Sequence, residues 1–255
     1  IAAVGLGTDR ASGPKEDPEE NQRAENVRSL GEERLLVANQ APIAAALKEL
    51  DAGHAGQAAA TFAMILKRDA TNPHVHYFAG RAHHERGAHQ EAFASHLETL
   101  RLDPRYGDDP LILEVLASCM AAKAAQCSTA ELDALLPHPK QARLRESLSR
   151  IATGELEPQR IGRLAYDKLK GADALPDLAE WRQRTLTMLY ANECAKKRDA
   201  LDRLVADRIT RALPMIRRLQ KRPKSGCGVL RLKDCLGCIR DDLAKAERTL
   251  SRKES

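Results

Sequence analysis

The stretch PHVHYFAGRAHHERGAHQEAFASHLETLRLDP, spanning Pro73–Pro104, decides the fold. It closes on Asp103-Pro104, a helix stop, and carries Gly87 where two helices would turn. Working outward, Gly87, Ala92, His96, Asp103 and Tyr106 echo Gly53, Ala58, Phe62, Asp69 and Asn72, each 34 residues earlier. Ala70 maps onto Pro104, and only the step from Asn72 to Tyr106 abandons its residue type or packing role. Thirty-four residues is the length of two antiparallel helices plus their turns. The alanines then stand where those helices approach closely.

This pattern resembles the tetratricopeptide repeat. The clearer unit is Pro73–Pro104, with Gly80 at the small position of its first helix; the other runs from Asn39 to Asn72 and is degenerate early. The resemblance implies paired helices and a concave face that binds a peptide or protein ligand. On that face it places Ile43, Leu47 and Leu50 from the first unit, and His74, Tyr77, Arg81 and His84 from the second. The apolar stripe Ile43, Leu47, Leu50 either holds side chains of a peptide or is covered by the preceding helix of the chain itself, Glu32–Ala38.

Beyond Leu111 the period fails. Amphipathic segments follow, punctuated by Pro137, Pro139, Pro158, Pro176 and Pro214. Ala174-Leu175-Pro176 recurs as Ala212-Leu213-Pro214, after Asp167-Lys168-Leu169 and Asp202-Arg203-Leu204 respectively, which resembles a HEAT-type helical repeat with proline near the start of a short second helix. Aromatic residues are only 3% of the chain, so Ala and Leu must supply the packing, and the composition favours helices. The expected fold class is therefore all-α: a helical-repeat superhelix of two tetratricopeptide-like units followed by HEAT-like helices. Residues 1–31 read as a membrane-exit stub (Ile1–Gly7) and polar linker, 32–106 as the repeats, 107–221 as the HEAT-like region, and 222–255 as a Cys-rich turn and terminal helix.

Net charge is +5 but uneven: residues 181–255 hold 20 Lys and Arg against 9 Asp and Glu. Beyond Trp181 and Tyr190 no aromatic residues interleave this charge, so it reads as a solvated helix face and not as a nucleic-acid surface. Catalytic signatures are missing. The glycines of Gly226-Cys227-Gly228 lack the Lys-Ser/Thr of a phosphate loop, and no Gly-x-Ser-x-Gly, His-Glu-x-x-His or kinase loop occurs. No cofactor is expected.

His74, His76, His83, His84, His89 and His96 crowd into one unit. In the repeat frame His76, His83 and His96 take aromatic packing positions, as neutral fillers or as a pH-sensitive packing site; a metal site would need several imidazoles to converge. Six cysteines, Cys119, Cys127, Cys194, Cys227, Cys235 and Cys238, allow full pairing, with Cys119 close enough to Cys127 to staple a helix end. Cys194 is expected to pair with one of the three terminal cysteines. Disulfides imply an oxidising compartment. The alternatives are a cytosolic four-thiolate zinc site from Cys194, Cys227, Cys235 and Cys238, or a redox Cys-x-x-Cys.

Taken together, His76-Tyr77-Phe78-Ala79-Gly80-Arg81, Leu102-Asp103-Pro104-Arg105-Tyr106, Ala212-Leu213-Pro214 and the run from Gly226 to Arg240 resemble the C-terminal region of bacterial transmembrane serine/threonine protein kinases. That resemblance implies an extracytoplasmic sensor or scaffold region, tethered through an upstream membrane helix to a kinase domain. A cytosolic tetratricopeptide adaptor is the competing expectation.

Overall fold

The computed structural model describes residues 18–121, 129–156, 161–221, 234 and 236–252. Among these residues every regular element is a helix and no strand occurs. The first helices are α1 (Pro18–Ala38), α2 (Ala41–Asp51), α3 (Ala55–Leu66), α4 (Pro73–Glu85) and α5 (His89–Leu102). A tight 3-10 turn, Pro104–Asp108, leads into α6 (Pro110–Ala121). After it come α7 (Ala130–Leu135), α8 (Ala142–Thr153), α9 (Gly162–Gly171), α10 (Glu180–Tyr190), α11 (Cys194–Ala206), α12 (Leu213–Gln220) and α13 (Arg240–Ser251). Most helices pack on their sequence neighbours: α2 on α3, α3 on α4, α4 on α5, α8 on α9, α10 on α11, and α13 on both α11 and α12. None of the described helices is long and apolar enough to cross a membrane, and Ile1–Gly7 lies outside the described residues.

One correction concerns the N-terminal region. A polar linker was expected up to residue 31, yet α1 begins at Pro18. Proline suits the first helical position. The helix shows no apolar period because, among its described side chains, only Leu30 is fully buried.

The 34-residue echo is visible in the backbone. At the end of α2, Gly53 N–H donates to the Leu50 carbonyl and His54 N–H to that of Glu49; at the end of α4, Gly87 donates to His84 and Ala88 to His83. Both glycines adopt a left-handed φ, +84° and +77°. This paired-bond helix stop turns the chain back on itself with the carbonyls satisfied. The same arrangement recurs at Gly154, Asp173 and Arg208, the last two with φ of 51° despite their side chains. Here the HEAT-like expectation needs a second correction. Pro214 does begin α12, but Pro176 sits in the turn between α9 and α10. The structurally equivalent positions are Asp173 and Arg208, which no glycine marks.

Three adjoining apolar clusters fill the interior. The first joins α2, α3 and α4 around Ile43, Leu50, Phe62 and Phe78. The second runs from α5 to α10 through Leu100, Leu116, Leu148 and Ala165. The third gathers Met188, Leu201, Ile216, Leu243 and Leu250. Tyr77 packs against both the first and second, and α10 serves both the second, through Leu186, and the third, through Met188. Buried arginines tie the middle together. Arg145 donates to the carbonyls of Leu136 and His138 beyond the end of α7, at 2.8 and 2.7 Å. Arg182 lies between Glu146 and Glu155, at 2.6 and 3.0 Å, and fixes α10 to α8.

Candidate functional site

Three parts of the chain build the site: the side of α4, the Pro104–Asp108 turn, and α1, which lies across α2, α4 and that turn. Asn72 caps α4 by accepting from His74 and Val75 N–H, which aims the first turn of α4 at the site. His74 and Tyr77 follow at helical spacing on one face. The Asp103 carboxylate accepts from Arg105 N–H at 2.9 Å and so shapes the 3-10 turn that carries Tyr106 inward.

At the centre, His74 Nδ1 and the Tyr106 hydroxyl share a hydrogen bond of 2.7 Å. His74 Nε2 faces Glu33 at 3.9 Å, so the tautomer protonated on Nε2 leaves Nδ1 to accept from the phenol. The rings of Tyr77 and Tyr106 lie 5.2 Å apart, and the Arg34 guanidinium sits 4.7 Å above Tyr77. Arg34 also donates to Asp109 at 2.9 Å. Arg105 grips Glu33 with two bonds of 2.8 and 2.6 Å and Asp103 with its other edge.

The electrostatics follow from this packing. The Arg105 fork holds the Glu33 carboxyl down at about 2. Burial pushes the Tyr77 phenol up to about 12 and raises Tyr106 as well, so both stay neutral donors. Burial lowers His74, and the neighbouring Glu33 only partly opposes it. Burial also works against the charge on Arg34, but the Tyr77 and Asp109 oxygens outweigh it. The result is a fixed, alternating set of charges around two neutral phenols.

Of the expected binding residues, His74 and Tyr77 come together here. Ile43 and Leu50 do not face a ligand: both are closed in the first apolar cluster, Leu47 is half-buried beside them, and Val37 and Ala38 of α1 pack against the same cluster. A concave stripe of large aliphatics on the first helix of a pair is closed by whatever precedes it, because exposed it would cost apolar area. Arg81 instead bridges α2 and α4, bonding Asp51 at 2.9 Å and Glu85 at 2.8 Å. His84 turns towards α5, its ring meeting that of His89 edge-on at 6.4 Å.

Among the expected aromatic substitutes, only His96 is fully buried; His76 bonds the Ala70 carbonyl and His83 is half-buried. Glu33, Arg34, Asp103, Arg105, Tyr106 and Asp109 were not singled out as site residues from the sequence. For the last four the signal was the density of charge in Asp103-Pro104-Arg105-Tyr106-Gly107-Asp108-Asp109-Pro110, a stretch read as a helix stop and as part of the kinase resemblance.

Cys194 is bonded to Cys238. Cys119 is also in a disulfide, while Cys127, Cys227 and Cys235 lie outside the described residues. The bond removes two of the four thiolates that the zinc alternative needs. Part of the basic C-terminal charge is paired, with Arg184 on Asp207, Arg198 on Asp242, Arg217 on Glu247 and Arg240 on Asp234. No family model, curated protein or solved structure matches the chain.

Proposed function

We propose that this chain is a non-catalytic binding module, built from two tetratricopeptide-like units and HEAT-like helices, that takes a peptide or protein segment against the α4 face. We place it on the extracytoplasmic side of a bacterial receptor kinase, as the sensor or scaffold region. The observation that carries the binding reading is the patch of His74, Tyr77 and Tyr106, two neutral phenols and an imidazole framed by Arg105 and Asp109, lodged against a helical segment. These groups supply hydrogen bonds and ring faces to a polypeptide. The Cys194–Cys238 bond supports the compartment, because such bonds persist where thiols are oxidised.

A displayed library of random peptides, selected on the full chain, tests the reading. Selection should converge on one motif whose binding is lost with Tyr77→Ala and kept with the remote Arg217→Ala. Failure to converge, or convergence on binders indifferent to Tyr77, would reject it.

A further inference from the structure

This inference rests on the peptide-binding reading and names the kind of peptide. We infer that α1 is a ligand held in cis, and that its seat accepts a second helix carrying the same anchors: Leu, then an adjacent Glu-Arg pair, then Val, at i, i+3, i+4 and i+7.

The anchors are Leu30, Glu33, Arg34 and Val37, which fall on one helical face at the spacing by which helices enter grooves. Leu30 joins the second apolar cluster and Val37 packs on the first. Between them Glu33 meets Arg105, and Arg34 meets Asp109 and the Tyr77 ring.

Two features mark α1 as an occupant of the seat. It leaves Leu35 and Leu36 in solvent, 65% and 72% exposed, while lending its charged residues to the body. A helix integral to a core does the reverse. The seat, moreover, is held in shape by bonds that do not involve α1. Asp103 grips Arg105 through Nε and Nη2, leaving the fork aimed outward at Glu33. Asp109 accepts from Leu111 and Ile112 N–H at the start of α6 with one oxygen and offers the other to Arg34. Tyr106 is fixed by His74. Such a receptor is preorganised, so a helix docking there orders mainly itself. The order of charges is also specified: an Arg-Glu pair would set like charges against Arg105 and Asp109.

The test uses a labelled peptide of residues 18–38, titrated into the full chain and into its Glu33→Ala/Arg34→Ala variant. Weakening the occupant frees the seat, so the variant should bind at least about tenfold more tightly than the parent. A peptide with Glu33→Arg/Arg34→Glu should bind neither. Hydrogen exchange on the unmodified chain gives a second readout independent of the variant. Amides of α1 should exchange faster than those of α4, and saturating peptide should speed them further. Equal affinities for parent and folded variant would overturn the proposal, as would α1 amides protected like those of α4 and unmoved by peptide. Library peptides that need Tyr77 while α1 stays docked would sink this proposal alone and leave the binding reading standing.

Discussion

Gly80 of α4 and His96 of α5 fit against each other so closely that a Cβ at position 80 would stand 2.5 Å from the Cε1 atom of His96. His96 takes the place, 34 residues on, of the core ring Phe62, and both are fully buried. The imidazole is therefore a filler that needs the missing side chain opposite it. Gly80→Ala should cost about 1–3 kcal/mol, because the enclosed ring has nowhere to move. Adding His96→Ala should relieve the clash, so the double variant should lose less than the two single losses combined. Chemical denaturation of the four chains measures this, and strict additivity would refute it.

The same ring makes the protein acid-sensitive. Among the described residues neither His96 nitrogen has a partner, and burial lowers its pKa to about 3, with His84 and His83 beside it acting in the same direction. The folded value lies below the unfolded value of 6.5, so the unfolded chain binds the proton first. Stability from this residue is full above pH 6.5 and drains as pH falls towards 3, amounting to about 2 kcal/mol by pH 5. His96→Leu should flatten the melting profile between pH 7.5 and 5 by that amount. Glu33 acts in a lower window, its contribution full above 4.5 and lost towards about 2, so the two do not overlap at pH 5 and above. An unchanged profile in the variant would count against the assignment.

Asp173 and Arg208 do with side chains what Gly53 and Gly87 do without. A left-handed residue with a Cβ carries a steric penalty. Asp173 is exposed, so Asp173→Gly should raise stability by about 0.5–1 kcal/mol, whereas Gly87→Ala should lower it by about 1–2 kcal/mol. Thermal melts of both decide it; a loss at position 173 would mean that the aspartate contributes more than its backbone costs.

The Cys194–Cys238 bond closes a 44-residue separation, worth about 4 kcal/mol in the chain-entropy model. Packing supports the same region: Leu236, Ile239, Leu243, Ala246 and Leu250 are all buried. Apolar packing and the disulfide therefore anchor the last helix together. Reduction should loosen α13 before the helices around Gly80, without melting it outright. Hydrogen exchange with and without reductant reads this directly, and equal loosening around Gly80 would contradict it.

The first helix pairs were legible because their turns are written in glycine. Only at Gly53, Gly87 and Gly154 does the residue type announce the left-handed stop; at Asp173 and Arg208 the same stop is imposed by packing and is silent in the sequence. Likewise α1 gave a weak periodic signal, since its contact face alternates apolar Leu30 and Val37 with charged Glu33 and Arg34. His74 and Tyr77 stood among the expected binding residues, and helical spacing brings them to one face of α4. Arg105 and Asp109 did not, because their roles depend on a helix about seventy residues earlier in the chain.

The Cys194–Cys238 bond also has a mechanical consequence. Tension applied to the two ends of the chain passes straight across the sulfurs, so α11 and α12, which lie between these cysteines in sequence, carry none of it. The helices before Cys194 have no such bypass along that path except where Cys119 is bonded, and under load they would peel away pair by pair. A pull on this molecule is thus borne outside the sulfur-closed loop, by the helices before Cys194, α1 and its seat among them, and by α13.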